Sequence, residues 1–138
     1  MPIIGLNFSQ VSGEKKNSIK GRINVKQDIK IVSLEKEQMN ISSSEDTLKV
    51  GFEFKVDYAP EVGQISLKGN ILYMTEPKLA ESLLKNWKKN NKIDDERLLL
   101  NFFNAIISKS NVKALLLADD LGLPPHVRMP RLTSQPKK

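Results

Sequence analysis

The stretch that decides the fold is LKVGFEFKVDY, residues 48–58, in which every second side chain is apolar. The positions between them hold lysine, glycine, glutamate or aspartate. Successive side chains of a strand point to opposite faces, so this pattern predicts a β-strand with one face on a core and the other in water. After a turn at residues 59–63, a second alternating run at residues 65–73 is expected to complete a hairpin.

Two further strands are predicted upstream of this hairpin. Residues 3–11 carry one apolar side, and polar segments at residues 13–20 and 35–46 serve as connections. The simplest arrangement is four antiparallel strands in sequence order. The strand between the two connections is predicted from the strict alternation of Ile23, Val25, Gln27, Ile29 and Ile31.

The apolar period changes after residue 75 to that of a helix. One helix is expected to follow Thr75 as its N-cap, and a second to run from the cap Asp94 to Gly122, a residue type favoured where helices end. The prolines that follow favour an extended segment, and its apolar residues predict that it lies along a surface, either the protein's own core or a neighbouring subunit. The core stripes of the two helices are predicted at Leu79, Ala80, Leu83, Leu84 and Trp87, and at Leu99, Phe103, Ile106, Ile107, Ala114, Leu117 and Leu121.

Strands first and helices second predict an α+β fold. We expect a four-stranded antiparallel sheet, two helices packed on one face of it, and an extended proline-containing C-terminal segment. Residues 1–132 are assigned to a single domain of this kind, and residues 133–138 to a disordered basic tail. A chain of 138 residues is long enough to bury such a core without metal or disulfide staples.

The chain carries more apolar surface than a two-layer core uses. The strand end around Tyr73 is apolar on both sides, and the second helix has a second apolar set beside its core stripe. Such a surplus is typical of a subunit interface or of a groove for a bound polypeptide, and the pattern leaves both open. The residues predicted to contact a client polypeptide or a neighbouring subunit are Leu72, Met74, Leu98, Phe102, Leu115 and Leu116.

Residues suited to catalysis are scarce in this chain. It has no cysteine, and its single histidine, His126, lies among prolines near the C-terminus. The acidic groups at residues 94–96 and 119–120 are better explained by helix capping and a solvated face than by acid–base chemistry. We therefore expect no enzyme activity, no cofactor and no metal site.

Composition also limits the kinds of partner that this protein can have. The net charge of +6 and the pI of about 9.5 are consistent with contact to a polyanion such as RNA or a ribosome, and equally with a soluble, lysine-rich surface that has no such partner. The aromatic residues of residues 48–58 share the core side, so no base-stacking platform is expected. No apolar run approaches the ~20 residues that span a bilayer, and we expect a cytoplasmic protein without membrane insertion. The candidate polyanion contacts are Lys15, Lys16, Lys20, Arg22, Arg128 and Arg131.

Six short segments of the chain form a further pattern: Gly5-Leu6-Asn7-Phe8, Gly51-Phe52-Glu53-Phe54, Glu61-Val62-Gly63-Gln64-Ile65, Asn111-Val112-Lys113-Ala114-Leu115, Leu123-Pro124-Pro125 and Met129-Pro130. In these segments and in its order of strands and helices, the chain resembles the SecB-like chaperone family, which includes the bacterial preprotein-export chaperone SecB and archaeal proteins of the same fold. The resemblance implies a homo-oligomer, a tetramer or a dimer, that holds non-native polypeptides in apolar grooves without ATP. Bacterial SecB is acidic and contacts the translocation ATPase SecA through its charged sheet surface, a property that does not carry over to this basic chain.

Three functional hypotheses follow from the sequence. The first is an ATP-independent chaperone that binds non-native polypeptides. The second is a basic protein associated with a ribosome or RNA, whose affinity would fall steeply with salt. The third is an antitoxin-linked or otherwise dedicated chaperone with one partner.

Overall fold

The computed structural model of the chain describes residues 3–19, 21–37 and 45–127. It confirms the predicted α+β class, with two helices that follow a four-stranded antiparallel sheet. Residues 128–132 of the predicted domain and the predicted tail, residues 133–138, lie outside the described residues. The elements are β1 (Ile3–Lys15), β2 (Asn24–Glu37), β3 (Asp46–Ala59), β4 (Gly63–Thr75), α1 (Pro77–Asn90) and α2 (Glu96–Leu121).

The strand order differs from the prediction. The sheet runs β1-β4-β3-β2, so the first two strands lie at opposite edges and the prediction of sequence order is wrong. The chain leaves β1 across the turn between β3 and β4, where the Lys16 amide donates to the Val62 carbonyl at 2.8 Å and Asn17 Nδ2 donates to the Glu61 carbonyl at 2.6 Å. The sheet has a Greek key topology, in which β2, β3 and β4 are consecutive neighbours and β1 pairs with β4. The long connection joins β1 to β2 at the opposite edge of the sheet.

One face of the sheet packs under both helices. Alternate residues of β3 and β4 from this face form a single buried cluster with α1 and α2. At its β1 side, the rings of Phe8 and Phe52 meet edge to face with centroids 6.2 Å apart. A Cβ on Gly69 would clash with the Asn7 carbonyl oxygen and lie 2.9 Å from Phe52 Cζ, so only glycine admits this close approach.

The opposite face of the sheet carries many charged side chains, and acidic and basic residues lie next to one another on it. Glu53 in β3 lies 3.7 Å from Lys55 Nζ and 3.9 Å from Lys68 Nζ. Basic residues of β2 pair with acidic residues of β3, and the acidic residue of β2 pairs with a basic one. In the described strands, this face therefore has no cluster of like charges. The cross-strand partners are Lys26 with Asp57, Asp28 with Lys55, and Lys30 with Glu53.

Both helix starts lie one residue beyond the predicted caps. Glu76 occupies the N-cap of α1 and Pro77 its first turn, where the missing amide proton of proline costs nothing. Asp95 caps α2, and its Oδ1 accepts a hydrogen bond from the Leu98 amide at 3.1 Å. The predicted end of α2 is confirmed, because Gly122 adopts the left-handed conformation with φ of 71°.

The buried stripe of α2 is only partly the predicted one, since Ile106 and Ala114 of the predicted stripe are fully buried. Phe103 is only half-buried and Ile107 is exposed, whereas small residues let the helix approach the sheet on the adjacent side. Because α2 is apolar on several sides, the sequence did not decide which stripe faces the core. In the described part of the chain, no helix is long and apolar enough to cross a membrane. The buried residues of α2 are Leu98, Phe102, Ile106, Ser110, Ala114 and Ala118.

Candidate polypeptide-binding surface

Two of the predicted contact residues lie in the core. Leu98 is 6% exposed and Phe102 is 1% exposed, and the Phe102 ring packs edge to face on Tyr73 with centroids 5.2 Å apart. This corrects their assignment to an accessible surface, because both belong to the stripe of α2 that faces the sheet. Within one protomer, neither side chain is available to a client polypeptide or a second subunit.

Two other predicted residues lie on the charged face of the sheet. Tyr73 points toward the helices, so its neighbours Leu72 and Met74 point away from them. Leu72 is half-buried opposite Lys49, and Met74 is buried opposite Thr47. The sheet therefore separates these two side chains from the apolar residues of α2, and the six predicted residues do not form one site.

The last two predicted residues, Leu115 and Leu116, line an apolar groove on α2. The groove has a volume of about 440 Å³. Leu116 is 57% exposed and Val112 is 60% exposed, so the α2 wall of the groove is open to solvent. The other wall comes from the residues that follow α2. The lining residues are Val112, Leu115, Leu116, Ala118, Asp119, Leu123 and Pro125.

That second wall belongs to residues 123–127, which we call the strap. The strap turns back beside α2 and lies on the core face of the sheet, with Leu123 and His126 buried. Tyr58 Oη donates a hydrogen bond to the Pro124 carbonyl at 2.6 Å, and Gln27 Nε2 donates one to the His126 carbonyl at 3.3 Å. For residues 123–127, the surface under the proline-containing segment is the protein's own core, the first of the two predicted surfaces.

His126 joins the strap to α2. Its Nε2 lies 2.8 Å from Asn111 Oδ1, an acceptor, so the ring carries its proton on Nε2 and donates. Nδ1 is buried and has no hydrogen-bond partner among the described residues. The ring also meets Phe54 edge to face with centroids 5.9 Å apart. Burial lowers the pKa of His126 below its ordinary value, so the neutral form is favoured here.

The residues that hold the strap were not among the predicted site residues. Gln27 is the one polar member of the alternating run from Ile23 to Ile31, and this exception was the available signal. Tyr58 ends the apolar side of β3 and looked like an ordinary core residue. Burial raises the pKa of Tyr58 above its ordinary value, which keeps its hydroxyl protonated and able to donate.

A second apolar groove lies at the other end of the helix layer. It has a volume of about 380 Å³ and is bordered by β2, the end of α1 and the start of α2. Trp87, predicted to be in the core, is partly buried and forms part of this groove. The remaining lining residues are Ile29, Lys30, Ile31, Asn91, Lys92, Ile93, Leu99 and Phe103.

The predicted polyanion contacts are only partly described. Lys15 Nζ lies 3.3 Å from the position that a Cβ would take on Gly122, at the C-terminus of α2. A cation there interacts favourably with the negative end of the helix dipole. Lys16 and Arg22 are exposed. Lys20, Arg128 and Arg131 lie outside the described residues, and polyanion contact stays a prediction.

The groove offers apolar side chains, and the strap site offers hydroxyl and amide donors to a main chain. Among residues 3–19, 21–37 and 45–127, no group of three or more histidine, aspartate or glutamate side chains could hold a metal ion.

Comparison with known proteins supports the fold assignment. One solved structure with the same architecture is the Mycobacterium tuberculosis SecB-like chaperone Rv1957 in complex with a ChAD peptide from the HigA1 antitoxin Rv1956. The TM-score is 0.57 at 12% sequence identity, over 99% of this chain and 92% of that chain. No family model and no curated protein matches the chain. The chain thus has the fold of a SecB-like chaperone.

Proposed function

We propose that this protein is an ATP-independent chaperone that holds non-native polypeptides against the apolar grooves of its helix layer. The observation that supports it most is the open groove beside Val112 and Leu116, on a fold whose solved neighbour is in complex with a peptide. Such a holdase needs accessible apolar surface and no reaction chemistry, since binding to unfolded chains lowers aggregation by mass action. We also propose a cytoplasmic location without membrane insertion.

The energetics of the groove favour weak contacts that repeat. Fully burying a valine or leucine side chain contributes about 1.5–3 kcal/mol, and Val112 and Leu116 are each more than half exposed. A bound segment that covers both therefore gains about 1 kcal/mol from each of them. Loss of free motion on binding costs about 4 kcal/mol or more. A useful holdase must engage one client at several grooves.

Assembly into a homo-oligomer would supply those several grooves, and we propose that β1 forms the contact. β1 is one edge of the sheet, and it has no charged residue from Ile3 to Gly13. Ile4 and Val11 on this strand are exposed. β2, the other edge strand, carries alternating lysine, aspartate and glutamate, the side chains that discourage edge pairing. A second copy of β1 is the strand that would extend the sheet.

A dedicated chaperone for one partner is the second candidate. The structural neighbour is a SecB-like chaperone in complex with an antitoxin peptide, which favours this alternative over the ribosome or RNA hypothesis. The two chaperone hypotheses differ in breadth: a general holdase binds unrelated unfolded chains, whereas a dedicated one binds a single segment tightly. Binding to a panel of unrelated denatured proteins separates them.

Suppression of aggregation tests the proposed function. The full-length protein should keep denatured citrate synthase from aggregating at a stoichiometric ratio. The variant Leu116→Asp should bind unfolded chains about tenfold more weakly, because it removes an apolar contact and places a charge in the groove. Leu100→Asp is the matched control, since Leu100 is 60% exposed on the same helix but does not line the groove.

The outcome of this pair of variants is decisive. If the protein is folded and oligomeric yet suppresses no aggregation of any client, a general holdase is excluded. If Leu100→Asp impairs binding as much as Leu116→Asp does, then binding does not depend on the groove.

A further inference from the structure

Two of the hydrogen bonds that hold the strap go to its main chain. Tyr58 and Gln27 donate to the carbonyls of Pro124 and His126, which are alternate residues of the strap. Side-chain donors that bind carbonyls impose little demand on the identity of the bound residues. A site of this kind accepts many sequences, provided that the segment is extended.

We propose that the strap site binds extended segments of non-native polypeptide, and that the strap occupies this site in the free protein as a competing segment of the same chain. The inference rests on the proposed function and deepens it, because it adds a second contact beside the groove. The strap and the groove share Leu123 and Pro125, so a segment that displaced the strap would lie next to Val112 and Leu116.

The centre of the site binds a carbonyl rather than an amide. Pro124 and Pro125 have no amide proton, and the hydrogen bond from Tyr58 that holds this part of the strap goes to a carbonyl. The floor of the site is aromatic, with Phe54 and Tyr58 both buried beneath the strap. We therefore expect the bound segments to be extended and apolar, with proline tolerated, as in other aromatic-lined sites for extended chains.

The strap is held in a way that allows its displacement. The hydrogen bond between His126 Nε2 and Asn111 Oδ1 uses a side chain of the strap. A client segment without a histidine at this position would not form it. The buried Nδ1 of the His126 ring has no partner in the described part of the chain, and a buried polar atom without a partner opposes docking. A client segment with leucine, methionine or phenylalanine at this position would fill the same space without that penalty.

Three variants of the full-length chain test this competition, with reduced carboxymethylated α-lactalbumin as a permanently unfolded probe. His126→Ala and Asn111→Ala each remove the bond specific to the strap, and each should raise the affinity for the probe about fivefold. Using two variants guards against a loss of packing at His126. Tyr58→Phe removes a donor from the docked strap and from the bound probe alike, so its affinity should stay within about twofold of the wild type.

The affinities of these variants distinguish a competing strap from a passive cover. If Tyr58→Phe raises affinity as much as His126→Ala, then the strap is only a cover and its carbonyl donors do not serve the client, which overturns the inference. If neither strap variant changes the affinity, then the client does not compete with the strap, and the inference is overturned while the proposed function stands. If no variant and no wild-type protein binds the probe, then the proposed function fails and the inference with it.

Nuclear magnetic resonance gives a direct readout, because His126 is the only histidine. In the free protein its imidazole signals should be those of a buried ring protonated on Nε2. Saturating probe should move them to the positions of a solvent-exposed histidine. A probe that binds while these signals stay in place would show that the strap remains docked, which contradicts the inference.

Discussion

Removal of the Ser110 hydroxyl is expected to stabilise the protein. Ser110 is fully buried on the stripe of α2 that faces the sheet, and its Oγ has no hydrogen-bond partner among the described residues. A buried polar group without a partner costs about 1–3 kcal/mol. Alanine also has a higher helix propensity than serine by about 0.5 kcal/mol. The small void left by the oxygen offsets part of this gain, so Ser110→Ala should raise the free energy of unfolding by about 1–2 kcal/mol.

Urea unfolding measures this change. The midpoint should rise with the slope m unchanged, and the melting temperature should rise by about 3–6 °C for a chain of this length. Ala114 is the matched control, because it is fully buried one turn further along the same stripe. Ala114→Ser should destabilise the protein by a similar amount. A destabilised Ser110→Ala variant would refute the reasoning, since it would mean that the hydroxyl is hydrogen bonded.

Two further predictions concern the strap and the sheet edge. Because burial lowers the pKa of His126 below its ordinary value of 6.5, the unfolded chain binds the proton first as pH falls; stability should therefore decline below about pH 6.5 and level off below the folded-state pKa, and His126→Gln should remove this slope in urea unfolding. Asn7→Lys puts a charge on the exposed β1 edge and should lower the mass measured by light scattering, whereas Asn24→Lys on the β2 edge should leave it unchanged. An unchanged mass in Asn7→Lys would exclude β1 as the subunit contact.

The alternation of residues predicted the strands and their core faces well. It could not predict the order β1-β4-β3-β2, because alternation tells which face a strand buries and not which strand lies beside it. The connection after Lys16, held by the Val62 carbonyl, carries no periodic signal. Strand order in this sheet therefore depends on contacts between distant residues.

The candidate site was harder to predict than the fold. α2 is apolar on two adjacent sides, and its pattern favoured the bulky Phe103 and Ile107 for the core. The structure buries the small residues Ser110 and Ala118 against the sheet in their place. Small residues allow close approach, which an amphipathic pattern does not register. Gln27 was visible as a polar exception on the apolar side of β2, but its partner is a carbonyl 99 residues away.

The charged face of the sheet has a consequence for folding. The apolar face alone cannot distinguish the native pairing of β2 and β3 from one shifted by two residues, because alternation survives such a shift. The charged residues do distinguish the native pairing, since a two-residue shift would pair Lys26 with Lys55 and Asp28 with Glu53. A shift in the other direction also pairs like charges. Each such pair costs about 0.2–1 kcal/mol. The charged face thus favours the native register of β2 on β3, and this preference weakens as salt screens the charges.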